Sequence, residues 1–248
     1  MAIEVLELIQ ENNAKGEKTV MIVPYGPLGP YARLVELINK HRVSLKNCWF
    51  INMDEYLDEN KQYLPKTDPL SFRGGMDRIF YGLVDPELLM PEEQRIFPEP
   101  GNEGRIWETI RKLGKLDMCW GGVGITGHIA FNEPGSSLTS RTRQKTLTTD
   151  TIIANSRFFD YDVEKVPHYA LTVGVGTVMD AREVMILVNG HHKSRALQAA
   201  VEGPVTQWWT ISALQMHQHG IIVADEAACE ELKVGTYRYF KDIEKNNL

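Results

Sequence analysis

Along the chain the apolar residues change period again and again. Ile3, Leu6 and Ile9 recur at helical spacing within residues 3–12, and Asn12, Asn13 and Gly16 end that segment. Thr19 to Pro24 is instead a nearly unbroken apolar run, as expected of a strand buried on both faces, and the Leu34, Leu37, Ile38 stripe of Tyr31 to Lys40 is helical again. The alternation continues with a strand over Asn47 to Met53, a helix over Ser71 to Leu83, a short strand at Arg95 to Phe97 and a helix over Gly104 to Gly114. Next comes an apolar run that starts at Leu116 and ends among glycines. Ala170 to Val175 reads as a strand, with Gly174 and Gly176 also compatible with a turn into a short helix near Asp180. A strand over Glu183 to Asn189, a helix over Ser194 to Glu202, a last core strand at Gly220 to Ala224 and a closing helix over Glu226 to Glu244 complete the chain. Strands alternating with helices predict an α/β fold, a single domain built on an open parallel sheet with helices on both faces. Only residues 136–168, rich in Ser, Thr, Arg and Asp, break the rhythm. A stretch of that length carries either function or secondary structure of its own.

Composition narrows the class. With 43% hydrophobic and 24% charged residues over 248 positions, the chain is ordinary for a globular domain. No apolar run is long enough to span a membrane, and Met1-Ala2-Ile3-Glu4 lacks the basic start of a secretory signal, so a cytoplasmic protein is expected. The net charge of −6, without any Lys/Arg run, gives no footprint for nucleic acid. Cys48, Cys119 and Cys229 have neither disulfide-framework nor zinc spacing.

The candidate chemistry gathers between Cys119 and Pro134. Gly121, Gly122, Gly124 and Gly127 surround one imidazole, His128, and Glu133 follows five residues later. A glycine cluster at the carboxyl end of a strand lets the backbone turn sharply and approach a ligand, although such turns also serve as plain connections. An imidazole and a carboxylate on one loop suit proton transfer. Asp54 and Glu55 stand at the end of another strand. Gly26, in the loop between the first strand and its helix, marks a candidate anion site, but Pro27 beside it has no amide hydrogen to donate. His191-His192 and His217/His219 lack acidic or Cys partners at ligand spacing, so no metal is expected, and His41 and His168 carry no motif.

Residues 119–134, with Asn52-Met53-Asp54-Glu55-Tyr56, Ser-Arg-Thr-Arg at 140–143, Ala-Asn-Ser-Arg-Phe-Phe at 154–159, Tyr-Ala-Leu-Thr-Val-Gly-Val-Gly-Thr at 169–177 and Ala-Leu-Gln-Ala-Ala-Val-Glu-Gly at 196–203, resemble the glucosamine-6-phosphate deaminase (isomerase) family. The resemblance runs from Asn47 to Phe240. It implies a Rossmann-like sandwich with a lid over 136–168, and the conversion of a sugar phosphate, glucosamine 6-phosphate, to fructose 6-phosphate and ammonia without a cofactor. By the same resemblance Asp54 moves the proton on the second carbon, His128 opens the ring, Glu133 orients His128, and Arg157 and Lys193 hold the phosphate. Ser136, Ser137, Arg143, Lys145 and Tyr239 match a pocket for N-acetylglucosamine 6-phosphate between subunits of a hexamer, so a homo-oligomer is implied.

Two positions depart from the family pattern. Thr126 stands where the family has an aspartate, and the loop Tyr25 to Leu28 replaces a longer one with paired glycines and hydroxyl residues. Three readings follow: a deaminase, acting on this or another hexosamine phosphate; an impaired sugar-phosphate-binding homologue; or a lactonase, since phosphogluconolactonases share the fold and a Gly-rich His loop. The Asn132-Glu133-Pro134 and Asn52 to Tyr56 motifs favour the deaminase side.

Overall fold

The computed structural model describes residues 1–247, and its first strand, β1 (Thr19–Val23), shows how the rest is organised. Every residue of β1 is buried. Met21 and Val23 enter one apolar cluster, and Val20 and Ile22 enter another on the opposite face. Such a strand requires cover on both sides, and the remaining elements supply it. They are α1 (Ala2–Lys15), α2 (Gly29–His41), β2 (Cys48–Asn52), β3 (Asp54–Leu57), α3 (Phe72–Met76), which continues as a π-helical turn over Asp77–Tyr81, and β4 (Arg95–Ile96). After α4 (Arg105–Leu113) come β5 (Met118–Gly122), β6 (Arg143–Thr146), α5 (Thr149–Asn155), β7 (Tyr169–Thr172), α6 (Val175–Met179) and β8 (Glu183–Val188). The chain closes with α7 (Ser194–Glu202), β9 (Gly220–Ala224) and α8 (Val234–Asn247).

The main sheet is parallel, in the order β4-β2-β1-β5-β8-β9. Val5 and Ile9 of α1, Leu34 and Ile38 of α2, and Phe80 pack on one face. Ile106 and Ile110 of α4 and Leu197 and Ala200 of α7 pack on the other. This is the expected Rossmann-like arrangement. Among the described residues no helix is long and apolar enough to cross a membrane.

Three features differ from the sequence expectations. Asp54 to Leu57 is not a polar strand end: it forms β3, and with β7 and β6 it makes a second, antiparallel sheet in the order β3-β7-β6. Residues 136–168, by contrast, meet one of the two expectations for them by supplying both β6 and α5. β9 is an edge strand rather than a core strand, paired among the described residues only with β8 and leaving Ile221 and Val223 exposed. An apolar run reads the same whether one neighbour or two will cover it. The closing helix is also shorter than expected, because a 3-10 turn at Ala227–Cys229 precedes α8.

Candidate active site

From β1 the chain builds outward through β2 to β4, then returns to the other side of β1 as β5. Neighbouring loops diverge at such a reversal and leave a crevice at the carboxyl ends of the strands. A cleft of about 470 Å³ lies there. Its walls are Tyr25 to Leu28 after β1, Met53 and Asp54 after β2, and Gly122 to Ile125 with His128 after β5; Asn189 and Lys193 follow β8. Leu70 and Phe72 form one flank, and Thr151, Ala154, Asn155 and Arg157, from the segment expected to be a lid, close another.

The His128 loop is a closed turn. Val123 and Ile129 form an isolated bridge, Gly124 N–H donates to His128 O at 2.9 Å, and Gly127 N–H donates to Gly124 O at 3.0 Å. Two glycines are sterically required. A Cβ on Gly124 would collide with the His128 imidazole, and one on Gly127, which has φ of 71°, would collide with the Trp209 ring. Asn132 ties the loop down, donating from Nδ2 to Ile129 O and Val173 O while Oδ1 accepts from Arg143.

His128 is buried. Its Nδ1 lies 2.7 Å from Thr126 Oγ1 and 3.0 Å from Glu133 Oε2, and Thr126 Oγ1 donates to the same Oε2 at 3.2 Å. Burial pushes the Glu133 carboxyl up, but the hydrogen bond and charge of His128, with the hydroxyls of Thr151 and Thr126, outweigh it and hold the group at about 2.

Asp54 and Glu55 have separate surroundings. The Glu55 carboxylate accepts N–H groups from Tyr56, Phe72 and Arg73 at 2.8–2.9 Å and the Ser71 hydroxyl at 3.3 Å, at the amino end of α3. Arg73 Nε lies 3.4 Å away. Asp54 faces the cleft, and burial, with the neighbouring Glu55 charge added, pushes its carboxyl up to about 8. Tyr56 Oη accepts from Asn155 Nδ2 at 2.6 Å and so joins β3 to α5.

Arg157 and Lys193 line the same cleft. Burial first, and then the Arg157 charge, pull the Lys193 ammonium down to about 8. Gly26 also lines the cleft, in a cis peptide with Pro27, while the Tyr25 ring stacks on Phe72 at a centroid distance of 4.7 Å.

The structure therefore brings Asp54, His128, Gly26, Arg157 and Lys193 to one cleft, with Glu133 directly behind the imidazole. The expected regulatory set is more scattered. Ser136 is buried, Ser137 is exposed and bonds Thr139, Arg143 and Lys145 lie on β6, and Tyr239 is exposed on α8. Among the described residues no hydrogen bond, ion pair or ring contact joins Tyr239 to the other four. Nor does any group of three or more His, Cys, Asp or Glu side chains among them offer a metal site; His191 pairs with Glu230 and His217 with Ala181 O. Sequence reasoning missed Glu55 as the anchor of β3, and Thr151 and Asn155 as cleft residues. Strand geometry would have separated Glu55 from Asp54; Asn155 sits inside the 154–159 motif two residues before Arg157, whereas Thr151 carried no signal.

No protein-family model matches the chain. It is 59% identical over 227 residues to a glucosamine-6-phosphate deaminase of Bacteroides thetaiotaomicron, covering 90% of this chain and 81% of that one. A glucosamine-6-phosphate deaminase of Parabacteroides distasonis is 54% identical over 250 residues, 97% of this chain and 89% of that protein. The likeness thus includes the N-terminal segment, beyond the Asn47 to Phe240 span on which the sequence resemblance rests. Among solved structures, a monomeric glucosamine-6-phosphate deaminase superposes with a TM-score of 0.82 at 29% identity, covering 92% of both chains. A 6-phosphogluconolactonase from Trypanosoma cruzi shares the fold, with a TM-score of 0.65 at 16% identity over 94% of this chain and 91% of that one. With the Asp54, His128 and Glu133 constellation in the switch-point cleft and relatives this similar along almost its whole length, the chain belongs to the glucosamine-6-phosphate deaminase family.

Proposed function

We propose that this protein converts glucosamine 6-phosphate and water to fructose 6-phosphate and ammonia. The observation that carries the reading is the meeting of a cleft carboxyl raised to about 8, an imidazole backed by an ionised carboxylate, and a cation pair in one cavity. His128 exchanges the proton at the ring oxygen as the sugar opens. In its ionised form Asp54 takes the proton from the second carbon and returns it to the first, while a proton passes from the nitrogen to the first carbon's oxygen, which leaves the nitrogen doubly bonded to carbon two. Water adds there and ammonia leaves, so no net oxidation occurs. Glu133 stabilises the protonated His128, and Arg157 and Lys193 hold the phosphate. Positioned acids and bases contribute roughly 10²–10⁴-fold each, which suits this sequence of steps.

Ammonia release from glucosamine 6-phosphate, and from its galacto epimer, tests the proposal. Release from the epimer alone changes the substrate. Binding without release supports the second reading, a sugar-phosphate-binding homologue.

We further propose that the regulatory group Ser136, Ser137, Arg143 and Lys145 acts through Asn132, which Arg143 holds next to Glu133. Tyr239 would join that group only from a second subunit, and the exposed Val234, Tyr239 and Phe240 of α8 support a homo-oligomer. Sedimentation showing only monomer removes that part.

A further inference from the structure

Thr126 lies between the imidazole and its carboxylate. Its hydroxyl is the group nearest His128 Nδ1, at 2.7 Å against 3.0 Å for Glu133 Oε2. An ionised Glu133 can only accept, so the hydroxyl proton goes to Oε2, 3.2 Å away, and the Oγ1 lone pairs are turned to the ring. Nδ1 then faces two acceptors and must carry a hydrogen. In a neutral imidazole that leaves Nε2 bare.

We propose that Thr126 is a positioning residue for His128: its hydroxyl relays the Glu133 carboxylate to Nδ1 and holds the ring with Nε2 as its free proton acceptor. A hydroxyl already donating to a carboxylate is polarised and accepts more strongly, so the relayed contact exceeds that of an isolated threonine. It also transmits one negative charge to the ring rather than two. The other ionisable groups near this loop are Asp54 and Tyr56 on β3, Arg143 and Lys145 on β6, and Arg157 and Lys193 across the cleft; Arg143 donates to Asn132 Oδ1 rather than to the ring.

The structural part of this inference is independent of the proposed reaction; only its kinetic consequence rests on that reading. The test is nitrogen-15 NMR of the His128 side chain across pH in wild type, Thr126→Val, Thr126→Ser and Thr126→Asp. Thr126→Val is expected to lower the His128 titration midpoint by roughly 0.5–1 unit, the size of one hydrogen bond, and to mix the two tautomers. Thr126→Ser should restore both, and Thr126→Asp should raise the midpoint above wild type. A valine variant with unchanged tautomer and midpoint overturns the relay and assigns the ring to Glu133 alone. If the valine variant is misfolded, Thr126→Ala decides in its place: it too removes the hydroxyl, and an unchanged tautomer and midpoint there would overturn the relay. Absence of ammonia release in wild type would sink the deaminase reading and leave these NMR results standing.

Discussion

Asp54 and Glu55, consecutive residues of β3, turn their carboxyl groups to opposite sides of the strand. Glu55 is saturated by three backbone N–H groups and the Ser71 hydroxyl at the start of α3, whereas no hydrogen bond or ion pair among the described residues engages Asp54. One carboxylate is spent on holding the strand in place, and the other is left for the cleft. Asp54→Asn is therefore expected to lower turnover by about 10²–10⁴-fold while sugar-phosphate affinity changes little. Full ammonia release by the variant would remove Asp54 from the chemistry.

The same substitution has a stability signature. With its carboxyl raised to about 8, folded Asp54 holds a proton that the unfolded chain has already lost above about pH 4. The native state binds more protons throughout that window, so stability should fall as pH rises from about 4 to about 8 and level off beyond. Asparagine cannot titrate. Denaturant unfolding at several pH values should show a flatter profile for Asp54→Asn, and parallel profiles would mean that Asp54 is an ordinary acid in the fold.

Glu55→Ala leaves the Phe72 and Arg73 amides without their acceptor. A cost of roughly 2–5 kcal/mol is expected, since buried donors are stranded and β3 loses its tie to α3. Activity should fall too, through displacement of Asp54. Urea unfolding measures the first effect, and a loss below about 1 kcal/mol would show that water or Ser71 replaces the carboxylate.

Most of the parallel sheet was legible because its strands are apolar runs bounded by glycine and proline: Thr19–Val23 and Glu183–Val188 fall where the periodicity puts them. The antiparallel sheet was not. Asp54–Leu57 places two charged residues before two apolar ones, with no period-two alternation to distinguish it from a strand end, and Arg143–Thr146, at the opposite edge of that sheet, is polar throughout because it stays half-exposed. In the site, His128 and Glu133 stood out through the glycines around them. The contact between Thr126 and both of them depends on the turn closing at Val123 and Ile129, a pairing that spacing alone does not reveal.

Lys193 gives a second pH dependence. Its ammonium, drawn down to about 8 by burial and Arg157, loses its proton in the free protein as pH rises through 8, and a bound phosphate should restore it. Phosphate-ester affinity is thus expected to weaken above pH 8, and binding near pH 8.5 should take up a proton. Calorimetry in buffers of different ionisation enthalpy reads that uptake directly. Lys193→Ala should abolish it and cost on the order of ten- to a hundredfold in affinity. Uptake that survives the substitution would place the titrating group elsewhere.

Gly124 separates the chemistry of the loop from its folding. The residue does not have positive φ, so alanine imposes no left-handed strain there; the three atoms nearest its Cβ all belong to the His128 imidazole. Gly127 differs, because φ of 71° and the Trp209 ring both oppose a side chain. Gly124→Ala is accordingly expected to push the His128 ring away from Thr126 and Glu133 and to reduce turnover by at least tenfold, with a stability loss of about 1 kcal/mol or less as the ring swings toward the cleft. Gly127→Ala should unfold the loop and cost roughly 1–3 kcal/mol through backbone strain and the clash with Trp209. Paired measurement of ammonia release and denaturation midpoint decides the matter. If Gly124→Ala keeps full turnover, the imidazole does not need the position seen here, and the role of His128 in opening the sugar ring would have to pass to another group in the cleft.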